Sequence, residues 1–190
     1  MRVIAGQYRS RPLQSLRGMD IRPTSDRLRE TLFDVLCAGN PEALRGTVWI
    51  DLYAGTGAVG VEALSRGAAE VTFVESSRQA SGVIDKNLRS LGITQGAAVL
   101  VMDAAAGLRK LAGRGAAADY IFLDPPYRLE EEYSQTLRAL GESAILRSSG
   151  IVIAEHDRRF DPGEAHGPLE RYRELKQGDA VLSFYRKTQS

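Results

Sequence analysis

Apolar residues recur along this chain in two rhythms. Short, nearly unbroken apolar runs stand at 48–53, 71–75, 98–103, 120–124 and 150–155. Runs of four to six such residues fit strands buried on both faces. Between them lie stretches with helical spacing: 59–65, stopped by Gly67; 77–90, closed by Gly92; an alanine-rich stretch from 104 to about Leu111; and 130–142, which opens on Glu130, Glu131 and Glu132. Glycines past the last periodic residue and acids in a first turn are ordinary helix boundaries. Strand and helix therefore alternate, which predicts an α/β fold whose parallel sheet is covered on both faces.

The two ends break that rhythm. Pro23-Thr24-Ser25-Asp26 is a helix-start signal, and Leu28, Leu32, Val35 and Leu36 carry the helix to about residue 38, before Gly39-Asn40-Pro41. Ahead of it, 2–17 alternates loosely through Val3, Ala5, Gly6, Tyr8 and Leu13, which predicts a short hairpin or extended arm. At the other end, 169–175 and 180–186 flank Gln177-Gly178-Asp179. They read as an antiparallel hairpin at the sheet edge.

Composition narrows the classes. The 190 residues, 43% hydrophobic and 26% charged, exclude a disordered chain and leave room for one domain with a small appendage. No run approaches the ~20 apolar residues of a membrane span, and 1–12 lacks a signal-peptide core, so the cytosol and no membrane partner are expected. One cysteine, Cys37, excludes an internal disulfide framework, and His156 and His166 leave little for a metal centre, so no metal is expected. Cys37 and Trp49 read as core residues, His156 as a surface or loop residue, and His166 as a solvated one. The net charge of +1 hides an asymmetry: residues 1–30 carry Arg2, Arg9, Arg11, Arg17, Arg22, Arg27 and Arg29 against Asp20, Asp26 and Glu30. A solvated face and a phosphate-binding patch both fit that cluster.

Candidate chemistry gathers at the strand ends. Asp51, Glu75, Asp103 and Asp124 end or nearly end four of the parallel runs, and Glu155 closes the fifth. Ligands of open α/β sheets bind outside those ends, so the acids converge on one crevice. The loop from Asp51 to Gly60 contains Gly55-x-Gly57-x-x-Gly60, and Glu75 follows Gly55 by 20 residues, placed to accept ribose hydroxyls. Several nucleoside-binding folds share that fingerprint. Asp51 beside the loop suits a cationic ligand better than a pyrophosphate, which favours S-adenosylmethionine over NAD. Asp124-Pro125-Pro126-Tyr127 follows the fourth strand. A carboxylate and a proline carbonyl there accept the two hydrogens of an exocyclic amine, and Tyr127 stacks on its base.

On these residues the chain resembles a known group. The Asp124-Pro125-Pro126-Tyr127 tetrapeptide and the Asp-x-x-Ala-Gly-x-Gly loop from Asp51 are similar to motifs of class I S-adenosylmethionine-dependent N-methyltransferases acting on amino groups. The segments 2–13, 22–36 and 64–68 are similar to bacterial small-subunit (16S) ribosomal RNA guanine-N2 methyltransferases of the RsmD type. Asp34 stands where asparagine is common in that family, Tyr127 where phenylalanine is frequent, and Ser76-Ser77 follow Glu75. The resemblance implies a Rossmann-like, mostly parallel sheet of seven strands, with an RNA-contacting N-terminal extension (1–20) ahead of a methyltransferase domain (21–190). It implies a cofactor pocket of Asp51, Tyr53, Ala54, Gly55, Thr56, Gly57, Glu75, Ser76, Asp103 and Ala104, with Asp124, Pro125, Pro126 and Tyr127 catalytic. Arg2, Arg9, Arg11, Arg22, Thr24, Arg27 and Arg29 are the implied RNA contacts. The implied partner is 16S ribosomal RNA or a small-subunit assembly intermediate, met by a monomer. Competing readings are an adenine-N6 DNA or protein-glutamine methyltransferase, an NAD-linked oxidoreductase, and a non-catalytic RNA-binding module.

Overall fold

The five apolar runs become five parallel strands: β1 (Val48–Leu52), β2 (Glu70–Glu75), β3 (Ala97–Val101), β4 (Ala118–Leu123) and β5 (Leu146–Asp157). The computed structural model describes residues 1–15, 25–126 and 129–188. The C-terminal residues add β6 (Ala165–His166), β7 (Leu169–Gln177) and β8 (Ala180–Lys187), and the sheet order is β3-β2-β1-β4-β5-β8-β7-β6. The last three strands are antiparallel to their neighbours, with Gly178 (φ 62°) in the β7–β8 turn. The described sheet thus has eight strands, not seven. The extra one is β6, whose two residues pair with Leu169 and Glu170. A two-residue strand is too short to leave a period in a sequence, so its segment reads as a polar loop.

Side-chain alternation along β1 shows how the sheet divides the core. Trp49 buries on one face, stacked between Phe33 (5.5 Å) and Tyr120 (5.0 Å); Ile50 and Leu52 bury on the other. The first face is covered by α1 (Asp26–Leu36), α2 (Ala58–Ser65) and α3 (Arg78–Leu91). The second is covered by α4 (Ala104–Gly113) and α5 (Glu130–Glu142). Ser25 caps α1 by accepting from the Leu28 amide at 3.1 Å, as the helix-start signal predicts; Pro23 and Thr24 lie outside the described residues. His156 departs from its expected surface position. It is buried in β5, where Nδ1–H donates to the Phe160 carbonyl (2.8 Å) and Nε2 accepts from Ser183 (2.9 Å). His166, expected to be solvated, is half-buried and donates to the Pro162 carbonyl (2.8 Å). Among the described residues no helix is long and apolar enough to cross a membrane.

The first fifteen residues form an arm closed on itself by Val3 N–H to Arg11 O (3.0 Å), Ser10 N–H to Val3 O (2.9 Å) and a bridge from Arg2 to Pro12. The arm lies on the first face. The fully buried Glu62 of α2 accepts the Ile4 and Ala5 amides at 2.8 and 3.0 Å, and Ser65 accepts the Tyr8 amide at 3.0 Å. Gly6 makes this contact possible: at φ 81°, a Cβ there would stand 1.9 Å from the Ser65 carbonyl oxygen. Asn87 of α3 completes the seam, accepting from the Gln14 amide (2.7 Å) and donating to the Thr56 carbonyl (3.0 Å). The expected boundary at residue 20 lies outside the described residues.

Candidate active site

The sheet changes direction of growth between β1 and β4, and the crevice of such a sheet opens at that point. Two loops leave the sheet there, one after β1 and one after β4. In the first, Tyr53, Gly55 and Gly57 take positive φ values of 59°, 55° and 76°. The turns close the loop on itself and on β2, with the Gly57 amide donating to Ala54 O at 2.7 Å, and glycine adopts such angles without the strain that Tyr53 carries. Gly60 has another reason to be glycine: a Cβ would sit 2.3 Å from the Phe73 ring, forcing α2 away from β2.

Acidic side chains then converge. Asp51 is buried on the α1–α3 face of β1 and accepts the Gly60 amide at 2.9 Å. Burial pushes its carboxyl up to about 8 against the pull of that amide, and Glu75 adds to the rise. Glu75 braces the loop, accepting the Gly55 amide at 2.8 Å on one oxygen and the Ser77 amide at 2.7 Å on the other. Each oxygen keeps a second lone pair for a hydroxyl donor. Register places Leu123 beside Ala154, so Asp124 and Glu155 are neighbours just past the end of the β4–β5 ladder. Burial, with the charges of Glu155 and Asp51, pushes the Asp124 carboxyl well above its ordinary value. Three carboxyl groups thus share one poorly solvated corner, Asp51 and Glu155 buried and Asp124 half-buried at its mouth. Such a corner gains from any cation it admits.

The remaining expected residues distribute as follows. Ala54 is buried, its amide bonded to Val74 O (3.0 Å). Tyr53 turns its hydroxyl to α5, donating to Glu132 at 2.7 Å with Thr136 at 3.0 Å. Thr56 is buried, with its hydroxyl 3.9 Å from Sδ of Met1 in the arm. Ser76 is exposed; Asp103 is exposed and caps α4 through the Ala106 amide at 2.7 Å; Ala104 is buried behind it. Pro125 is buried and Pro126 exposed, while Tyr127 lies outside the described residues. Arg2, Arg9, Arg11 and Arg27 are exposed, with Arg11 donating to the Ser90 carbonyl at 2.8 Å. Arg22 and Thr24, and Arg17 of the same cluster, lie outside the described residues.

Arg29 departs from expectation. It is fully buried, donating to the Arg2 carbonyl and to Asp26 (2.9 Å) and standing 3.8 Å from Glu62. A side chain sealed between arm and helix serves cohesion and offers no surface to RNA. Its helical spacing from Leu32 and Phe33 was the available signal. Sequence reasoning also passed over Glu62, Asn87 and Tyr133. Glu62 was detectable as the one acid in the otherwise apolar α2. Tyr133 was not, because at four and seven residues before Leu137 and Leu140 it looks like any core residue. Its hydroxyl, however, donates to Glu155 O at 2.8 Å and lies 3.3 Å from Pro125 O.

Comparison with known proteins fits this geometry. A family model described as conserved hypothetical protein 95 matches residues 1–186. The chain is 35% identical over 187 residues to a putative rRNA methyltransferase, YlbH, of Bacillus subtilis (strain 168), covering 98% of this chain and 99% of that protein. It is 37% identical over 190 residues to ribosomal RNA small subunit methyltransferase D of Escherichia coli (strain K12), covering 98% and 90%. A solved structure, putative methyltransferase yhhF from Escherichia coli, aligns with a TM-score of 0.80 at 31% identity over 100% of this chain and 99% of that one.

Proposed function

The chain belongs to the conserved hypothetical protein 95 family, and from that premise we propose that it methylates the exocyclic N2 of a guanine in small-subunit (16S) ribosomal RNA. The methyl donor is S-adenosylmethionine. The observation that carries this reading is the poorly solvated corner formed by Asp51, Asp124 and Glu155 beside a glycine loop. It fits a ligand that is cationic at one end and a nucleoside at the other. Asp51 draws the cationic amino acid end, the side-chain-free Gly55 and Gly57 let the ligand approach the loop closely, and Glu75 takes the ribose hydroxyls. S-adenosylmethionine, when bound, supplies a methyl group on a sulfonium, whose bonding pair returns to sulfur as the methyl leaves.

The chain's own residues act on the amine. A guanine N2 lone pair is delocalised into the ring and is a poor nucleophile. The Asp124 carboxylate accepts one N2 hydrogen and the Pro125 carbonyl the other, which draws the nitrogen towards tetrahedral geometry and frees its pair for the new N–C bond. The same carboxylate takes the proton that the methylated nitrogen sheds, a role for which a raised pKa is an advantage. Fixing the amine against the donor supplies much of the rate.

The arm supports the choice of RNA. Asp51, Asp124 and Glu155 share the sheet face on which α1 and the arm lie, so exposed Arg2, Arg9, Arg11 and Arg27 belong to the approach to the site. Such a substrate is made in the cytoplasm, where the protein would act. The test is direct. Small subunits from cells lacking this protein are incubated with it and labelled S-adenosylmethionine, and the 16S RNA is digested for mass spectrometry. N2-methylguanosine at one site is expected; label in another nucleoside, or none, overturns the assignment.

A further inference from the structure

We propose that Tyr133 is a positioning residue for methyl transfer, its hydroxyl riveting the loop after β4 to the end of β5 so that the Pro125 carbonyl stands beside Asp124. The inference rests on the methyl-transfer reading above.

The loop after β4 has an unusual problem. Its parallel ladder ends at Leu123, paired with Ala154. The two residues after Asp124 are prolines, which carry no N–H. They contribute no donor to tie the segment back to the sheet; the Pro126 carbonyl is held locally by the Leu129 amide at 2.8 Å, and the Pro125 carbonyl meets a donor from α5. Tyr133 is that donor. It sits in the opening turn of α5, fully buried, and its hydroxyl reaches Glu155 O at 2.8 Å and Pro125 O at 3.3 Å. One proton serves both carbonyls, mainly the nearer. The ring itself is clamped by Phe160 (5.0 Å) and His156 (6.4 Å, edge-on), so the hydroxyl has little freedom to wander. A carbonyl oxygen has two lone pairs. Tyr133 approaches one at 3.3 Å, and the proposal gives the other to the amine.

The same turn of α5 holds the cofactor loop. Glu132, the preceding residue, accepts from the Tyr53 hydroxyl at 2.7 Å. Glu132 and Tyr133 therefore refer both loops to one rigid element, and preorganisation of this kind is what aligned transfer needs.

A role in stability alone would need only the ring; positioning needs the hydroxyl. Tyr133→Phe removes that one group. Wild type and variant are compared on 16S RNA in undermethylated small subunits, with S-adenosylhomocysteine titrated calorimetrically to count competent sites. For Tyr133→Phe, kcat per competent site is expected to fall at least about tenfold, with KM for S-adenosylmethionine and S-adenosylhomocysteine affinity within about twofold of wild type. Tyr133→Leu should match it in kcat per site and melt lower besides, because the ring is gone. Unchanged kcat per site in Tyr133→Phe overturns the role, as does a variant that binds no S-adenosylhomocysteine, whose hydroxyl would then serve folding. Wild-type protein that leaves the RNA unmethylated overturns the proposed function, and this inference falls with it.

Discussion

Asp51 sets ligand-free stability against its proposed cofactor role in one carboxyl. Its ordinary pKa is 3.8, and burial lifts it to about 8 in the ligand-free fold. Between those values the folded chain holds a proton that the unfolded chain has lost. Ligand-free stability should therefore fall as pH rises from about 4 to about 8, by the linkage of proton binding to folding. Asp51→Asn, which keeps an acceptor for the Gly60 amide, should flatten that slope. Thermal melts of both proteins at pH 5 and pH 8 test this; equal slopes would refute it. The variant should also bind S-adenosylhomocysteine at least about tenfold more weakly, about 1.4 kcal/mol. In wild type, binding should tighten as pH rises towards 8, with protons released to buffer. Asp124 behaves differently. If Asp124 accepts the amine's proton as proposed, Asp124→Asn should lower kcat by about a hundredfold or more and leave S-adenosylhomocysteine affinity nearly intact.

Among the elements, the arm and α2 depend on Glu62. Its buried carboxylate takes two arm amides and the Arg66 guanidinium at 2.8 Å, with the Arg29 guanidinium at 3.8 Å. Glu62→Ala strips all four of a partner, and breaking a buried pair from one side costs about 3–5 kcal/mol. The expected result is a lower melting temperature, with hydrogen exchange at Ile4 and Ala5 rising before exchange in the sheet. Protection of those amides unchanged from wild type would rule out this anchoring. The secondary elements themselves were legible because each is a local pattern. Ser25 and Asp26 announce α1, Gly92 ends α3 as a left-handed cap (φ 72°), and the glutamate run opens α5. The β5 start at Leu146 was not legible, since Arg147, Ser148 and Ser149 are polar and exposed within the strand.

For the whole molecule, the proposed RNA contact is a matter of charge. The exposed arginines of arm and α1 lie on the face of the acid proposed as catalytic, and each phosphate they would neutralise steepens the salt dependence of binding. Removing Arg9 and Arg27 together should weaken 16S RNA binding and reduce the slope of log affinity against log salt by about 0.7 for each lost phosphate contact. S-adenosylhomocysteine binding should be unaffected. Filter binding across a salt series reads the slope; an unaltered slope takes both arginines out of the interface.

The sequence alone carried the strands, the helices, the glycine loop and the acids at strand ends, because periodicity, capping and turn chemistry act over a few neighbouring residues. It also carried the expectation of a cationic ligand, since an acid beside a glycine loop is a local fact. What the tertiary structure decided are contacts that no short window contains. Arg29 turns inward where the Arg2 carbonyl of the arm accepts from it and the charge of Glu62 stands 3.8 Å away, both far along the chain. His156 is buried because β8 brings Ser183 beside it. Tyr133 becomes more than a core aromatic because its helix begins under two prolines that have no amide to offer, and only the folded chain brings that hydroxyl to the Pro125 carbonyl.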